Sequence, residues 1–195
     1  IKSHQQPDSK EAGHGVLICN ARYGLWRTFP DQRVEVLMDA DQYFRHLYTN
    51  LKTATKQIII VGWDIDSRLA LLDLTNIKKK EELAHVLNHI IKEKKDLHIY
   101  ILCWAYSPIY FFDREFFQAL KFARWRARRL HFHYDDQHPL GASHHQKIVV
   151  IDDRVAYAGG IDLTRNRWDT VDHAPHAEQR VNCMGEPYQP FHDVQ

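Results

Sequence analysis

The feature that most restricts how this chain can fold is the run IVVI at Ile148–Ile151, followed by the polar triplet Asp152-Asp153-Arg154 and then by VAYAGG. Four apolar residues in a row, ended by a turn signal, read as a strand that is apolar at both parities, as in sheets covered on both faces. The triplet and the return of the strand pattern at Val155 make the pair a β-hairpin with a short loop. If Ile151 faces Val155, then Lys147 faces Gly159 and His145 faces Ile161; a two-residue turn shifts each partner by one. Residues two apart in a strand share a face at roughly 6.5–7 Å. The imidazole of His145 and the ammonium of Lys147 can therefore converge on one small anion at the open end of the hairpin. Gly159 and Gly160 fall opposite them. Glycine inside a strand marks a place where a ligand or another backbone comes close, and the expectation here is room for a tetrahedral anion, with Asp162 at its rim.

The rest of the chain reads as scaffold for that hairpin. Arg33–Met38 is expected to be a strand, and Asp39 or Asp41 to cap a helix whose apolar positions Tyr43, Phe44, Leu47, Leu51 and Ala54 recur at helical spacing. Ile58–Val61 is the next strand. It runs into GWDIDS, whose Trp63, Asp64 and Asp66 fall where α/β sheets keep their sites. An amphipathic helix over Glu81–Lys94 follows, with the stripe Leu83, Val86, Leu87, Ile90 and Ile91. Leu97–Cys103 is a strand, Asp113 can cap a helix running through Phe116, Phe117, Leu120 and Ala123, and Leu130–Tyr134 is a further strand. This alternation predicts an α/β fold with a mixed, largely parallel sheet flanked by helices on both faces, to which the hairpin adds antiparallel pairing. Residues 1–30 read as a largely irregular lead-in and 31–195 as the domain.

Composition narrows the function classes. With 195 residues, 44% of them hydrophobic, the chain can build one sizeable core. A formal net charge of +1 gives no basic footprint, so nucleic acid is not a partner in the favoured reading. The cysteines Cys19, Cys103 and Cys183 are odd in number and widely spaced, which suits neither a disulfide framework nor a zinc site. No apolar run reaches the length of a membrane span, and because the chain starts at Ile1 the compartment and any removed leader stay open. Lys78–Lys80 reads as a solvated run. Lys121, Arg124, Arg126, Arg128 and Arg129 suit the C-terminal end of a helix dipole, with anionic lipid head groups as the functional alternative. A metal cluster of His131, His133, His138, His144 and His145 lacks a carboxylate or cysteine at ligand spacing and leaves Lys147 and the glycine pair unused. No metal or cofactor is expected.

The spacing His145-x-Lys147-x-x-x-x-Asp152, followed by Gly159-Gly160-x-Asp162 and the extension GGIDLTRNRWD, resembles the HxKxxxxD motif of the phospholipase D superfamily. It is most like the first half of a bacterial two-motif phospholipase D. The resemblance implies a phosphodiesterase that hydrolyses phospholipids such as phosphatidylcholine to phosphatidic acid and free head group, with transphosphatidylation as a companion reaction, at a peripheral membrane surface. It implies His145 as nucleophile through a phosphohistidine, Lys147 as the stabiliser of phosphoryl charge, and Asp152 in an electrostatic or orienting role. Gly159, Gly160 and Asp162 are the implied phosphate contacts, although many superfamily members carry Asn where Asp162 stands. A second histidine must protonate the leaving alcohol. In the family it comes from a second HxKxxxxD half, expected beyond Gln195 in the same full-length chain. His173 and His176 are the candidates within this one. The alternatives are a one-motif homodimeric nuclease of the same superfamily and a non-catalytic lipid-binding half.

Overall fold

The computed structural model describes residues 32–72, 82–105, 115, 117–122, 128–139 and 141–195. Residues 1–31, Lys78–Lys80, Asp113, Phe116, Arg124 and Arg126 lie outside that set, and with them the readings made there. Val36–Gln195 forms one compact unit. The elements are α1 (Asp39–Thr53), β1 (Gln57–Gly62), α2 (Leu83–Glu93), β2 (His98–Trp104), α3 (Gln118–Phe122), β3 (Leu130–Asp135), β4 (Ile148–Ile151) and β5 (Val155–Ala158). No described helix is long and apolar enough to cross a membrane.

The five strands lie in the order β3-β2-β1-β4-β5. β1, β2 and β3 are parallel, joined by crossovers that carry α2 and α3, and β4 returns antiparallel to β1 with β5 beside it. The hairpin register is the expected one, Ile151 opposite Val155 and Ile148 opposite Ala158. Its turn occupies Asp152, Asp153 and Arg154, and the first two take positive φ of 54°, which Asp tolerates better than most residues.

One parity of every strand faces the helices. Ile58 and Ile60 of β1, Ile99 and Ile101 of β2, Val149 and Ile151 of β4 and Tyr157 of β5 join Tyr43, Phe44, Leu47 and Leu51 of α1 and the whole α2 stripe in one core. Phe122 of α3 stacks on Phe132 of β3 at 5.5 Å between centroids and belongs to the same core. The described helices thus gather on a single sheet face. Tyr100 and Leu102 on the opposite face are exposed, and Ile59, Val61, Ile148 and Val150 are half-buried. Hence IVVI is apolar at both parities with only one of them fully covered. Leu47 is fully buried, and its truncation to Ala costs about 2–5 kcal/mol.

Arg33–Met38 is not a sheet strand. It makes one antiparallel bridge, Met38 with Val194, supported by Leu37 N–H to the Gln195 carbonyl at 3.0 Å and the reciprocal bond at 3.1 Å. Neither Asp39 nor Asp41 caps α1: the N-cap is Met38, whose N–H donates to Gln42 Oε1 at 2.9 Å. The basic residues of the third helical segment also serve differently from the expectation. Arg129 donates to the carbonyls of Ile91 at 2.6 Å and Leu97 at 2.9 Å, closing the C-terminal end of α2 rather than of its own helix. Lys121 pairs with buried Glu115 at 2.8 Å.

Candidate active site

Parallel strands end together, and a strand that returns antiparallel begins where they end. Trp63 follows β1, Trp104 ends β2, His138 follows β3, and His145 and Lys147 lead into β4, all on one edge of the sheet. Asp162 comes to the same edge from beyond β5. This is the carboxyl edge, where open α/β sheets leave a crevice for ligands.

His145 is exposed, and its ring meets Trp63 edge-on with centroids 6.1 Å apart. Lys147 is buried at 6% exposure, and its ammonium lies 2.9 Å from Asp162 Oδ2. It also donates to the carbonyl of His145 at 3.2 Å. Two of the three ammonium protons are thereby directed, which fixes the cation beside the His145 backbone. Asp162 is itself fixed, since its Oδ1 accepts from Trp63 N–H at 3.0 Å. In this buried pair each group supplies the counter-charge that the other would otherwise lack out of water.

The aromatic floor of the edge is continuous. Trp63 stacks on Trp104 at 5.6 Å between centroids and 19° between planes. Trp104 donates its indole N–H to His138 Nε2 at 2.9 Å. The Nε2 of His138 is therefore an acceptor, which places the proton of the neutral ring on Nδ1, 3.2 Å from the Pro139 carbonyl. Behind the edge, Asp64 is buried, accepting from Thr164 Oγ1 at 2.5 Å and from Gln118 Nε2 at 3.0 Å. Asp66 is engaged by the Arg68 guanidinium at 2.8 and 3.0 Å. Both acids of GWDIDS thus serve the loop after β1.

The candidate residues divide sharply. His145, Lys147 and Asp162 come together. Asp152 does not, because it occupies the hairpin turn at the opposite edge, about 20 Å away at strand rise. Its carboxylate accepts from Thr55 N–H at 2.7 Å, Thr55 Oγ1 at 2.8 Å, Lys56 N–H at 2.8 Å and Gln57 N–H at 2.9 Å. Burial alone raises this carboxyl, but the hydrogen bonds from Gln57, Lys56 and Thr55 outweigh it and bring it down to about 2. An orienting role at His145 does not fit that placement. Gly159 and Gly160 do not open space for an anion either. A Cβ at Gly159 would lie 2.2 Å from the Val194 carbonyl oxygen, and one at Gly160 2.2 Å from the Asp193 carboxylate. The close approach signalled by the glycine pair is that of the chain's own residues 193–195. Asp162, expected at an anion's rim, is a buried counter-charge.

His144 lies 3.6 Å from Asp135 and His131 stacks on Tyr100 at 4.9 Å, so the five strand and loop histidines converge on no common point among the described residues. His173 is engaged by Asp169 and Asp39 rather than by the His145 edge. Tyr157 and Trp168 are core residues. The sequence reading missed Asp162 as the partner of Lys147 and Trp104 as part of the floor. A lysine heading a buried strand does signal that a carboxylate must meet it; the strand order decides which one.

No family model matches the chain. Phospholipase D C of Dictyostelium discoideum is 30% identical over 172 residues, 82% of this chain and 10% of that protein. Phospholipase D1 of Schizosaccharomyces pombe is 29% identical over 154 residues, 76% of this chain and 11% of that protein. The chain thus spans about a tenth of the length of these curated relatives. Among solved structures, NucT from Helicobacter pylori matches with a TM-score of 0.50 at 8% identity, over 82% of this chain and 80% of that one; this likeness is one of fold. With relatives that carry the phospholipase D name, a matching fold and the HxKxxxxD hairpin at the carboxyl edge of its sheet, the chain belongs to the phospholipase D superfamily.

Proposed function

We propose that this chain supplies the nucleophile half of a phospholipase D-type phosphodiesterase acting on phospholipids such as phosphatidylcholine. The observation that carries the reading is the pairing of an exposed imidazole, His145, with a buried and oriented ammonium, Lys147, on the carboxyl edge of the sheet. A neutral His145 attacks phosphorus, and the bond from phosphorus to the leaving alcohol breaks, giving a phosphohistidine. Water, or an acceptor alcohol in transphosphatidylation, then displaces the histidine. Lys147 offsets charge developing on the phosphoryl oxygens. Asp162 acts through Lys147 as a positioning residue, since a carboxylate against phosphate would repel it. The glycine pair serves by letting residues 193–195 close behind Lys147. Asp152 holds the far end of the hairpin.

The leaving oxygen needs a proton donor. Among the described residues His138 has its Nε2 occupied by the Trp104 N–H, and His173 is held elsewhere. The reading therefore places the acid on a second HxKxxxxD half of a longer protein. The relatives' much greater length and the partly open apolar sheet face of β1, β2 and β4 support it.

The test is turnover of phosphatidylcholine vesicles by the full-length protein, with and without His145→Asn. The expected result is loss of head-group release by several orders of magnitude with the fold retained, since His145 is exposed. A folded variant with wild-type release overturns the assignment. Cleavage of DNA, but not of lipid, by a dimer of this chain would favour the homodimeric nuclease arrangement instead.

A further inference from the structure

Away from His145, the first residue of α1 holds a buried carboxylate that the reaction does not use. Asp39 is 1% exposed. Its Oδ1 lies 2.8 Å from Nδ1 of His192 and accepts from the Asp193 N–H at 3.2 Å. Its Oδ2 lies 3.3 Å from Nε2 of His173 yet takes part in no hydrogen bond. Oδ1 is thus hydrogen bonded, whereas Oδ2 is a buried acceptor on which no donor is aligned, as a ligand of a third atom would be.

Asp169 bears on that role. It is buried, held by Arg180 at 3.0 Å and by the N–H groups of Thr170 and Phe191 at 2.9 Å, and its Oδ2 lies 3.2 Å from Nδ1 of His173. A carboxylate at Nδ1 draws the ring proton to that nitrogen and leaves the Nε2 lone pair facing Asp39. This is the carboxylate–histidine relay that orients metal-bound imidazoles. One donor atom each from Asp39, His173 and His192 lies within 4.8 Å of the others. Ligand atoms around tetrahedral zinc stand about 3.3 Å apart, so a set lying within 4.8 Å has to draw together around the ion, which side-chain rotation of the partly exposed His173 and His192 can supply.

We propose that Asp39, His173 and His192 bind one divalent transition-metal ion, zinc by their two-nitrogen, one-oxygen ligand set. His173 and His192 are partly exposed, which gives an entry path and a fourth position for water. The ion clasps the start of α1, the segment after β5 and the 191–195 segment. That last segment lies over Gly159 and Gly160, where Gly160 N–H donates to the Val194 carbonyl at 3.0 Å. The role is structural and takes no part in phosphoryl transfer.

The experiment measures bound metal and melting temperature on the full-length protein after chelation and dialysis. Zinc chloride is added back to wild type, His192→Gln and Asp39→Asn; the exposed His192 side chain makes the first variant safe for folding. Wild type should take up one more equivalent of zinc than His192→Gln and gain several degrees in melting temperature. His192→Gln should bind on the order of a hundredfold more weakly, the upper end of what loss of even an outer-shell partner costs. Equal uptake by wild type and His192→Gln, or uptake without any thermal shift, overturns the proposal. So does stabilisation by calcium chloride but not by zinc, which would mark an all-oxygen site elsewhere. Should Asp39→Asn fail to fold, the His192→Gln comparison alone decides.

Discussion

Asp152 is the motif residue whose placement departs furthest from a role at phosphorus, and Asp152→Ala separates the two accounts. The substitution removes an acceptor from three backbone N–H groups and one hydroxyl, those of Thr55, Lys56 and Gln57. Hydrogen bonds to charged groups contribute about 1.5–3 kcal/mol each. Thr55 and Lys56 are exposed, so water can replace part of what is lost, and about 0.5–1 kcal/mol per bond is the appropriate scale. The positive φ of 54° adds about 1 kcal/mol for Ala. The sum is about 3–5 kcal/mol for Asp152→Ala. Asp152→Asn keeps one acceptor oxygen and tolerance of the left-handed region, so about 1–2 kcal/mol is expected. The pH dependence has a definite sign. A carboxyl at about 2 against an ordinary 3.8 contributes stability that is fully present above about pH 4 and is lost as pH falls toward 2. Asp152→Asn should remove that part of the acid slope. Urea unfolding of the full-length protein at several pH values reads the stability, and head-group release per folded molecule reads the chemistry. A variant of wild-type stability that loses activity a hundredfold would refute the placement argument.

The Lys147–Asp162 pair should behave as one unit. Lys147→Met leaves Asp162 buried and uncompensated and should cost about 3–5 kcal/mol; adding Asp162→Asn, which keeps an acceptor for Trp63 N–H, should restore at least about 1 kcal/mol of it in a double-mutant cycle. Strictly additive losses would show that the two do not form the pair. Turnover of the full-length protein should persist in strong chelator below the melting temperature, because histidine and lysine do the work otherwise given to a cation; an absolute divalent-ion requirement at the chemical step would contradict the mechanism.

Much of the architecture was legible without coordinates because its signals are local. The 3.6-residue recurrence of Tyr43, Phe44, Leu47 and Leu51 locates α1, and the polar triplet after Ile151 defines the hairpin register down to Lys147 opposite Gly159. Arg33–Met38 shows the limit of such reading: its alternation is that of a strand, yet Leu37 pairs with Gln195, more than 150 positions away, and the Met38 N–H turns to Gln42. Asp39 shows it again, since a helix-start Asp reads as a cap while its carboxylate is taken up by His173 and His192.

What the sequence determined by itself, then, is the hairpin, its histidine and lysine, and the alternation that makes an α/β sheet, because each depends on residues within a few positions of one another. The tertiary structure alone decided that β4 lies beside β1, and from that neighbour relation follows the rest. It sends Asp152 to the loop before β1, brings Asp162 to Lys147 and Trp63, and seats the chain's last residues on the glycine pair. Such assignments are long-range because a buried charge or an unpaired N–H must find its complement wherever the packing of the core brings one within reach, and no local pattern records where that is.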